Sequence, residues 1–228
     1  MADYLVFTLA ATLGAMGDLA GHERRGTWTW PGRSAVLGLV GAAMGIRRDG
    51  DFAALDALRV GVAVFEAGVP LRDYHTVQTV PTAVAKRPNS RPEALRDAGL
   101  RTNTTITLRD YHAGVLFGVA LWGGDLEPLC AALEAPHFTL YLGRKACPLS
   151  APPGARIVAA DTPEAALARL VLPPWVAGRV AHRLYADAEP GDTHVESRHD
   201  APQDRAHWHF QPRPVAVRAV SIAPGASA

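Results

Sequence analysis

Residues 34–45 read SAVLGLVGAAMG and lie within the most apolar run of the chain. Ser34 is placed to cap a helix and Gly45 to end it. Because the segment is apolar all round, we expect the helix to be buried. Its two internal glycines, Gly38 and Gly41, cost helix stability but permit close approach of another backbone, so we expect it to pack flat on a sheet.

Segments typical of strands lie on both sides of this helix. YLVFTL at residues 4–9 is short, apolar and β-prone, which favours a buried first strand. Further strands are predicted at residues 60–65, 71–77, 104–108, 115–122, 138–142, 156–159, 179–185 and 215–222, and further helical turns at 52–58, at 125–133 and from 161. The order strand, helix, strand, strand, then strand, helix, strand fits an α+β domain of the ferredoxin-like or RRM-like kind with insertions. The length suits one domain over residues 1–228.

Two polar segments interrupt this pattern. Residues 79–103 contain three prolines and little hydrophobic periodicity, so we expect them to be an excursion from the core. Between residues 86 and 112, six cationic side chains outnumber three carboxylates. Such a basic stretch can wrap a phosphate backbone, and the alternative is an ordinary solvated loop. Residues 187–214 are expected to be a polar loop before a final strand.

The overall composition restricts the possible functions. Lys and Arg total 23 against 22 Asp and Glu, so nucleic-acid binding would have to come from local clusters. The two cysteines, Cys130 and Cys147, lack paired metal spacing, which favours a reducing compartment. No cationic start precedes the apolar residues 5–16, and the run at 35–46 is too short to span a bilayer. We therefore expect a cytoplasmic protein without a membrane partner.

The densest candidate site is the stretch RRGTWTWPGRS at residues 24–34. Guanidinium groups match phosphate oxygens, and the amides of the predicted helix start add further donors. The two tryptophans, Trp28 and Trp30, could stack on unpaired bases. The alternative is a solvated loop whose tryptophans seal the edge of the core. The candidate RNA-binding residues in this stretch are Arg24, Arg25, Arg33 and Ser34.

A second candidate site is a repeated pentapeptide. LRDYHTVQ at residues 71–78 is echoed by LRDYH at 108–112, and the two copies flank the excursion. Side chains on a strand alternate between faces, so Arg72 and Tyr74 would share one face and His75 the other. A tyrosine–histidine pair could perform acid–base chemistry on a ribose hydroxyl. The alternative is an arginine–aspartate surface pair beside a stacked tyrosine.

A third candidate is the turn Gly143-Arg144-Lys145, which follows a predicted strand and could approach a phosphate closely. A plain turn is the alternative. Four late histidines with carboxylates nearby suit zinc or manganese in type, but they match no HExxH or zinc-finger spacing: His194, His199, His207 and His209. The sequence also lacks Walker-type and dinucleotide-binding glycine motifs. We therefore expect neither a metal nor an organic cofactor.

Three motifs in the same order resemble the CasD family of type I-E CRISPR Cascade, within the RAMP superfamily. They are RRGTWTWPGRSAVLGLVGAAMGI at 24–46, LRDYHTVQ at 71–78 and YLGRKACPL at 141–149, in a match that runs from about Leu5 to Pro148. DRAHWHFQPRPV at 204–215 resembles the family more loosely. At LGAMG, residues 13–17, the sequence departs from an LxSWG-like family pattern and has Met16 where an aromatic residue is common.

The resemblance implies an RRM-like palm with an inserted β-hairpin thumb at residues 79–109. It implies a non-catalytic protein that caps the 5′ handle of the guide RNA (crRNA) and bridges the backbone subunit and the large PAM-reading subunit. Target DNA would be contacted only through the complex, since base pairing reads the target in guided effectors. The expected RNA contacts are Arg24, Arg25, Arg33, Ser34, Tyr74, His75, Gln78, Lys86, Arg87, Arg101, Arg109, Tyr111, His112, Arg144 and Lys145.

The alternative function is a metal-independent endoribonuclease that processes CRISPR repeat RNA, as in the related type I-C subunit. That chemistry uses tyrosine, histidine and lysine side chains brought within hydrogen-bond reach. The candidates here are Tyr74, His75, Tyr111 and His112, with Lys86 and Lys145 as the two lysines of the chain.

Overall fold

The computed structural model describes residues 1–18, 21, 23–85, 88, 90–205, 207 and 209–225. Its strands are β1 (Ala2–Gly14), β2 (Arg24–Arg25), β3 (Arg59–Glu66), β4 (Val69–Thr79), β5 (Asn103–Trp122), β6 (Arg156–Ala160), β7 (Ala181–Asp187), β8 (Val195–Asp204) and β9 (His209–Ile222). Its helices are α1 (Arg33–Ala43), α2 (Ala53–Asp56), α3 (Arg91–Ala98), α4 (Glu127–Glu134) and α5 (Pro163–Leu167), and a 3₁₀ turn covers Pro174–Val176. The architecture is a large antiparallel sheet with few helices.

The central strands form one sheet in the order β6-β1-β5-β3-β7-β9-β8. The β1–β6, β1–β5 and β3–β5 pairings are all antiparallel. Along the chain, β1-α1-β3 and β5-α4-β6 are two strand–helix–strand units, and their strands interleave as β6-β1-β5-β3. The two helices of these units contact each other, so α1 and α4 cover one face of the sheet together.

Alternation along β1 gives the sheet a core on each face. Leu5, Phe7 and Leu9 belong to the larger core with α1, α2 and α4, whereas Tyr4 and Val6 belong to a smaller core with α5. The leucine and phenylalanine side chains on the larger side are 0% exposed, and each contributes about 1.5–3 kcal/mol to folding by leaving water. The strands predicted at 4–9, 60–65, 71–77 and 115–122 are confirmed.

Strand β5 is 20 residues long and runs out of the core sheet. Its C-terminal half pairs with β1 and β3, and its N-terminal half pairs with β4 from Asn103 to Ala113. The β4–β5 hairpin is therefore continuous with the sheet, and the predicted strands at 104–108 and 115–122 are one strand. Helix α3 lies in the connection, and the Ser90 hydroxyl caps it by accepting from the backbone N–H of Glu93 at 3.3 Å.

Three local expectations are wrong. The N-cap of α1 is Gly32, because the acceptor that occupies the helix start is the Asp200 carboxylate rather than the Ser34 hydroxyl. Residues 138–142 form no strand, only an isolated bridge from Tyr141 to Pro148. Their apolar character reflects burial of Leu140 and Leu142 in a turn. At Gly143 this turn has a φ of +85°, and a side chain there would collide with the backbone carbonyl of Ala15.

The expectation of a polar loop at 187–214 is also wrong. These residues include β8 and the start of β9, which pair antiparallel. These strands lack a simple apolar alternation because arginines and carboxylates occupy positions that pack against the α1 side of the protein. Arg198 and Asp200 are 7% and 5% exposed, respectively, and they are paired with other charged groups. Their polarity concealed the strands from a hydrophobicity pattern. Across the described residues, every helix is too short or too polar to cross a membrane.

Candidate nucleic-acid interface

Two arginines flank one carboxylate at the root of the β4–β5 hairpin. The Nε and Nη2 atoms of Arg24 donate to Asp110 Oδ2 at 2.9 and 2.8 Å, and Arg72 Nε donates to Asp110 Oδ1 at 2.7 Å. Hydrogen bonds from Arg72 and then from Arg24 lower the pKa of Asp110 to about 2. The Arg24 and Arg72 side chains stay 61% and 42% exposed. The group of Arg24, Asp110 and Arg72, which we name the root cluster, is therefore a rigid surface with one excess positive charge.

Strand register explains how residues so far apart in sequence meet. Arg72 lies opposite Asp110 in the antiparallel β4–β5 pair, and β2 places Arg24 opposite Leu108 on the other side of β5. Cross-strand partners share a face of a sheet, so the three charged side chains form a row across β2, β5 and β4. Tyr74 is two residues beyond Arg72 on that face and is 69% exposed.

Arg144 holds residues 24–34, which we name the arginine loop, to β5. Its Nη1 donates to the backbone carbonyl of Asp110 at 3.1 Å, and its Nη2 donates to that of Arg25 at 3.0 Å. Its guanidinium carbon also lies 4.5 Å from the centre of the Tyr111 ring. Arg144 is thus largely engaged within the protein, whereas the neighbouring Lys145 and Arg25 are exposed.

Arg33 was expected to contact a phosphate, but its side chain lies mostly inside the protein. Its Nη1 bonds Asp187 Oδ2 at 2.8 Å and its Nη2 bonds the backbone carbonyl of Asp56 at 2.6 Å. The side chain is only 11% exposed, so it joins α1 to β7 inside the protein. Ser34 is half-buried in the first turn of α1 and provides no side-chain cap.

Three aromatic rings and one guanidinium group form a cluster around Trp30. Trp30 stacks on Tyr185 with ring centres 4.1 Å apart and planes at 12°. The Arg198 guanidinium carbon lies 3.7 Å from the Trp30 ring centre and 4.9 Å from the Trp28 ring centre. Burial lowers the pKa of Arg198 to about 10, with the Asp200 charge opposing that shift, so the group stays cationic at neutral pH. Trp30 is 6% exposed and cannot offer a face to RNA, whereas Trp28 is 47% exposed.

The residues considered for acid–base chemistry do not converge. Tyr74 and His75 are neighbours on β4 and point to opposite faces, and His75 Nδ1 lies 4.0 Å from Asp73 Oδ2. Tyr111 and His112 are each 7% exposed, and the Tyr111 ring is covered by Arg144. Both pairs are placed on the strands of the hairpin, but only Tyr74 and His75 are open to a ligand.

The remaining predicted contacts lie along the hairpin. Gln78 and Arg101 are exposed at the end of the paired strands, and Arg109 is half-buried near the root. The Gln78 carbonyl accepts from Arg91 at 2.6 Å, and Arg101 donates to the Asp97 carbonyl at 3.3 Å. Two further predicted contacts, Lys86 and Arg87, lie outside the described residues.

Two of the four late histidines pair with nearby carboxylates. His207 Nδ1 lies 2.7 Å from Asp204 Oδ2, and His194 Nε2 lies 3.3 Å from Glu196 Oε1. Within the part of the chain that the structure describes, no group of three or more such side chains could hold a metal ion.

The sequence did not single out Asp110, Arg198 or Asp200 as site residues. A usable signal existed for Asp110, since each RDYH copy offers an arginine and an aspartate to the facing strand. The two copies pair antiparallel in a register that places Arg72 opposite Asp110 and Asp73 opposite Arg109. Arg198 and Asp200 were missed because the contacts that tie them to α1 and the tryptophans are made with residues in the first 33 positions, far from them in the sequence.

An exposed cationic row across neighbouring strands, beside an exposed tyrosine, is typical of single-stranded nucleic-acid binding. The family model described as "CRISPR-associated protein (Cas_Cas5)" matches residues 4–216. The chain therefore belongs to the CRISPR-associated Cas5 family, and the resemblance to CasD is confirmed. It is 35% identical over 187 residues to the "CRISPR system Cascade subunit CasD" of Escherichia coli (strain K12), covering 73% of this chain and 76% of that protein.

Two solved structures share the fold. A chain of a "CRISPR RNA-guided surveillance complex" is 28% identical and superposes with a TM-score of 0.70, over 96% of this chain and 90% of that one. A structure described as "Crystal structure of Cas protein" is 26% identical with a TM-score of 0.59, over 97% and 95% of the two chains.

Proposed function

We propose that this protein is the CasD-type subunit of a type I-E Cascade complex in the cytoplasm and that it binds the 5′ handle of crRNA without cleaving it. The strands β6-β1-β5-β3 with α1 and α4 would be the ferredoxin-like palm, and the β4–β5 hairpin with α3 would be the thumb. The protein would bridge the backbone subunit and the large PAM-reading subunit, and it would meet target DNA only through the complex.

The root cluster is the observation that carries this proposal. Asp110 fixes two guanidinium groups side by side while neutralising only one of their charges, and both stay accessible. Guanidinium forks bind phosphate oxygens in pairs, and a fixed pair loses less side-chain entropy on binding. The exposed Tyr74 ring, on the same face of β4 as Arg72, extends this surface, and Arg25 and Lys145 are further exposed cations of the neighbouring segments.

Assignment of the cluster to RNA rather than to a protein surface rests on its composition. Arginines beside exposed aromatic rings combine phosphate binding with base stacking, and this combination serves single strands. Membership of the Cas5 family and the similarity to a surveillance-complex chain support a guide RNA as that strand. Half-buried Arg33 is left out of the proposed surface.

The alternative function, cleavage of repeat RNA, is less well supported by the geometry than RNA binding is. Acid–base cleavage needs its donor and acceptor within hydrogen-bond reach of one ribose, and Tyr74 and His75 point to opposite faces of β4. Tyr111 and His112 are buried. The hairpin strands therefore favour binding over cleavage.

The test uses purified protein with radiolabelled repeat RNA and with the isolated 5′ handle. We expect saturable binding of the handle, weaker binding of a scrambled RNA of equal length, and intact repeat RNA on a denaturing gel. In a reconstituted complex, His75→Ala and His112→Ala should leave guide length unaltered. Accumulation of unprocessed repeat RNA with either variant would favour the nuclease, and equal binding of handle and scrambled RNA would refute handle recognition.

A further inference from the structure

We propose that Trp28 is a stacking platform for one unpaired nucleobase of the RNA held at the root cluster. The inference rests on the proposed RNA-binding function and adds to it a specific subsite for a base. Its starting observation is a contrast between two neighbouring tryptophans, since Trp30 is 6% exposed and Trp28 is 47% exposed.

Trp28 shares one cation with its buried neighbour. The Arg198 guanidinium carbon lies 4.9 Å from the Trp28 ring centre, and the same group lies 3.7 Å from the Trp30 ring centre. Trp30 in turn stacks on Tyr185. Trp28 is therefore the exposed member of a cluster of three rings and one guanidinium group, and its exposed surface is where a base would stack.

Hydrogen bonds within the protein hold this cluster in place. The backbone N–H of Trp28 donates to the Gly17 carbonyl at 3.2 Å, and the Thr27 hydroxyl accepts from the Met16 N–H at 2.8 Å. Arg198 Nη2 also donates to the Trp30 carbonyl at 3.2 Å. A ring held this way loses little conformational freedom when a ligand stacks on it, which favours binding.

The surroundings favour a nucleobase over an apolar protein side chain. Arg144 Nη2 lies 3.4 Å from the carbonyl of Gly26, only two residues before Trp28, and Arg24 and Arg25 precede that glycine. An extended chain spans at most about 3.3–3.6 Å per residue, so the four residues from Arg24 to Trp28 keep their Cα atoms within about 14 Å, a distance that a short single strand can span. A strand whose phosphates sit on the arginines can therefore place a base on the indole, and aromatic faces accept any base.

The test uses a series of handle RNAs, each with 2-aminopurine at one position, bound to the full-length protein. We expect at least one position to be quenched in the native complex and to recover its fluorescence with Trp28→Leu. The affinity should fall by about 5- to 150-fold, the range measured when one base–aromatic stack is removed. Trp28→Phe keeps an aromatic face and should retain most of the quenching and affinity, which separates stacking from loss of fold.

Trp175→Leu is the matched control, because Trp175 is 64% exposed on the 3₁₀ turn, whose Val176 packs against the smaller core while Trp30 belongs to the larger one, and it should change neither signal. If every RNA binds normally and no position depends on Trp28, the platform is refuted while RNA binding stands. If the native protein binds no handle RNA at all, the proposed function fails and the platform fails with it.

Discussion

The backbone N–H of Arg33 donates a 2.7 Å hydrogen bond to the carboxylate of Asp200, 167 residues further along the chain. A carboxylate at this position satisfies an unpaired amide of the first turn of α1 and carries the charge that a helix start favours. Arg213 holds the same carboxylate through Nε at 2.6 Å. The C-terminal β8–β9 hairpin thus fixes the start of the helix that follows the arginine loop.

Removing the Asp200 charge should destabilise the protein strongly. Asp200→Asn leaves Arg198 and Arg213 without their shared carboxylate in a buried setting, where loss of one partner costs about 3–5 kcal/mol. The free energy of unfolding from urea titration measures the effect. Asp161→Asn is the control, because that side chain is 79% exposed and its pair contributes at most about 1 kcal/mol. Equal effects of the two changes would contradict the role assigned to Asp200.

Two arginines of one loop should respond differently to alanine. Arg24→Ala removes an exposed phosphate-binding group, so the slope of log affinity for handle RNA against log salt should become shallower by about 0.7. Arg33→Ala removes a half-buried ion pair with Asp187, so it should lower the melting temperature and leave that slope unchanged.

Fluorescence anisotropy at several salt concentrations gives the slope for each variant. Arg183→Ala, an exposed change on β7 away from the hairpin, should leave the slope as it is. A shallower slope for Arg33→Ala with no change for Arg24→Ala would reverse the assignment.

Acid should abolish the contribution of Asp110 to stability. Hydrogen bonds from Arg72 and Arg24 lower its pKa from an ordinary 3.8 to about 2, so the stabilisation is complete above pH 4 and is lost as the pH falls towards 2. Asp110→Asn should therefore be less stable than the native protein at pH 6, and the difference should narrow between pH 4 and pH 2. Urea midpoints at pH 6, 4 and 2.5 measure this difference. A difference that is as large at pH 2.5 as at pH 6 would show that Asp110 does not act through its charge.

Shortening the hairpin connection should separate folding from assembly. Replacing residues 83–101 with a short Gly-Ser bridge removes α3, which makes few contacts with the other described helices and strands, and keeps the strand pair that closes at Thr79 and Asn103. The melting temperature should change little, while co-purification with the other Cascade subunits should fall sharply. Replacing residues 224–225 with Gly-Ser, at the C-terminal end of the described chain, is the control. Full assembly of the shortened variant would show that this segment is a solvated loop.

The sequence alone determined those strands and helices whose apolar side chains indicate directly that they are buried. Leu5, Phe7 and Leu9 alternate with residues that also enter a core, so β1 could be predicted from six residues. The apolar stretch after Pro31 predicted α1, and both RDYH copies lie on the strands of the hairpin. Local composition also located the arginine loop as the densest candidate site.

Only the tertiary structure decided which charges are available to a ligand. Arg24 and Arg33 look equivalent in the sequence, but one remains 61% exposed and the other is 11% exposed against Asp187. The partner of Arg33 is 154 residues away, at the end of β7, a strand from the C-terminal part of the chain. The physical reason is that a local sequence pattern indicates whether a side chain prefers water or an apolar environment. An arginine, by contrast, pairs with whichever carboxylate the fold brings close to it. Strand order and register determine which carboxylate that is.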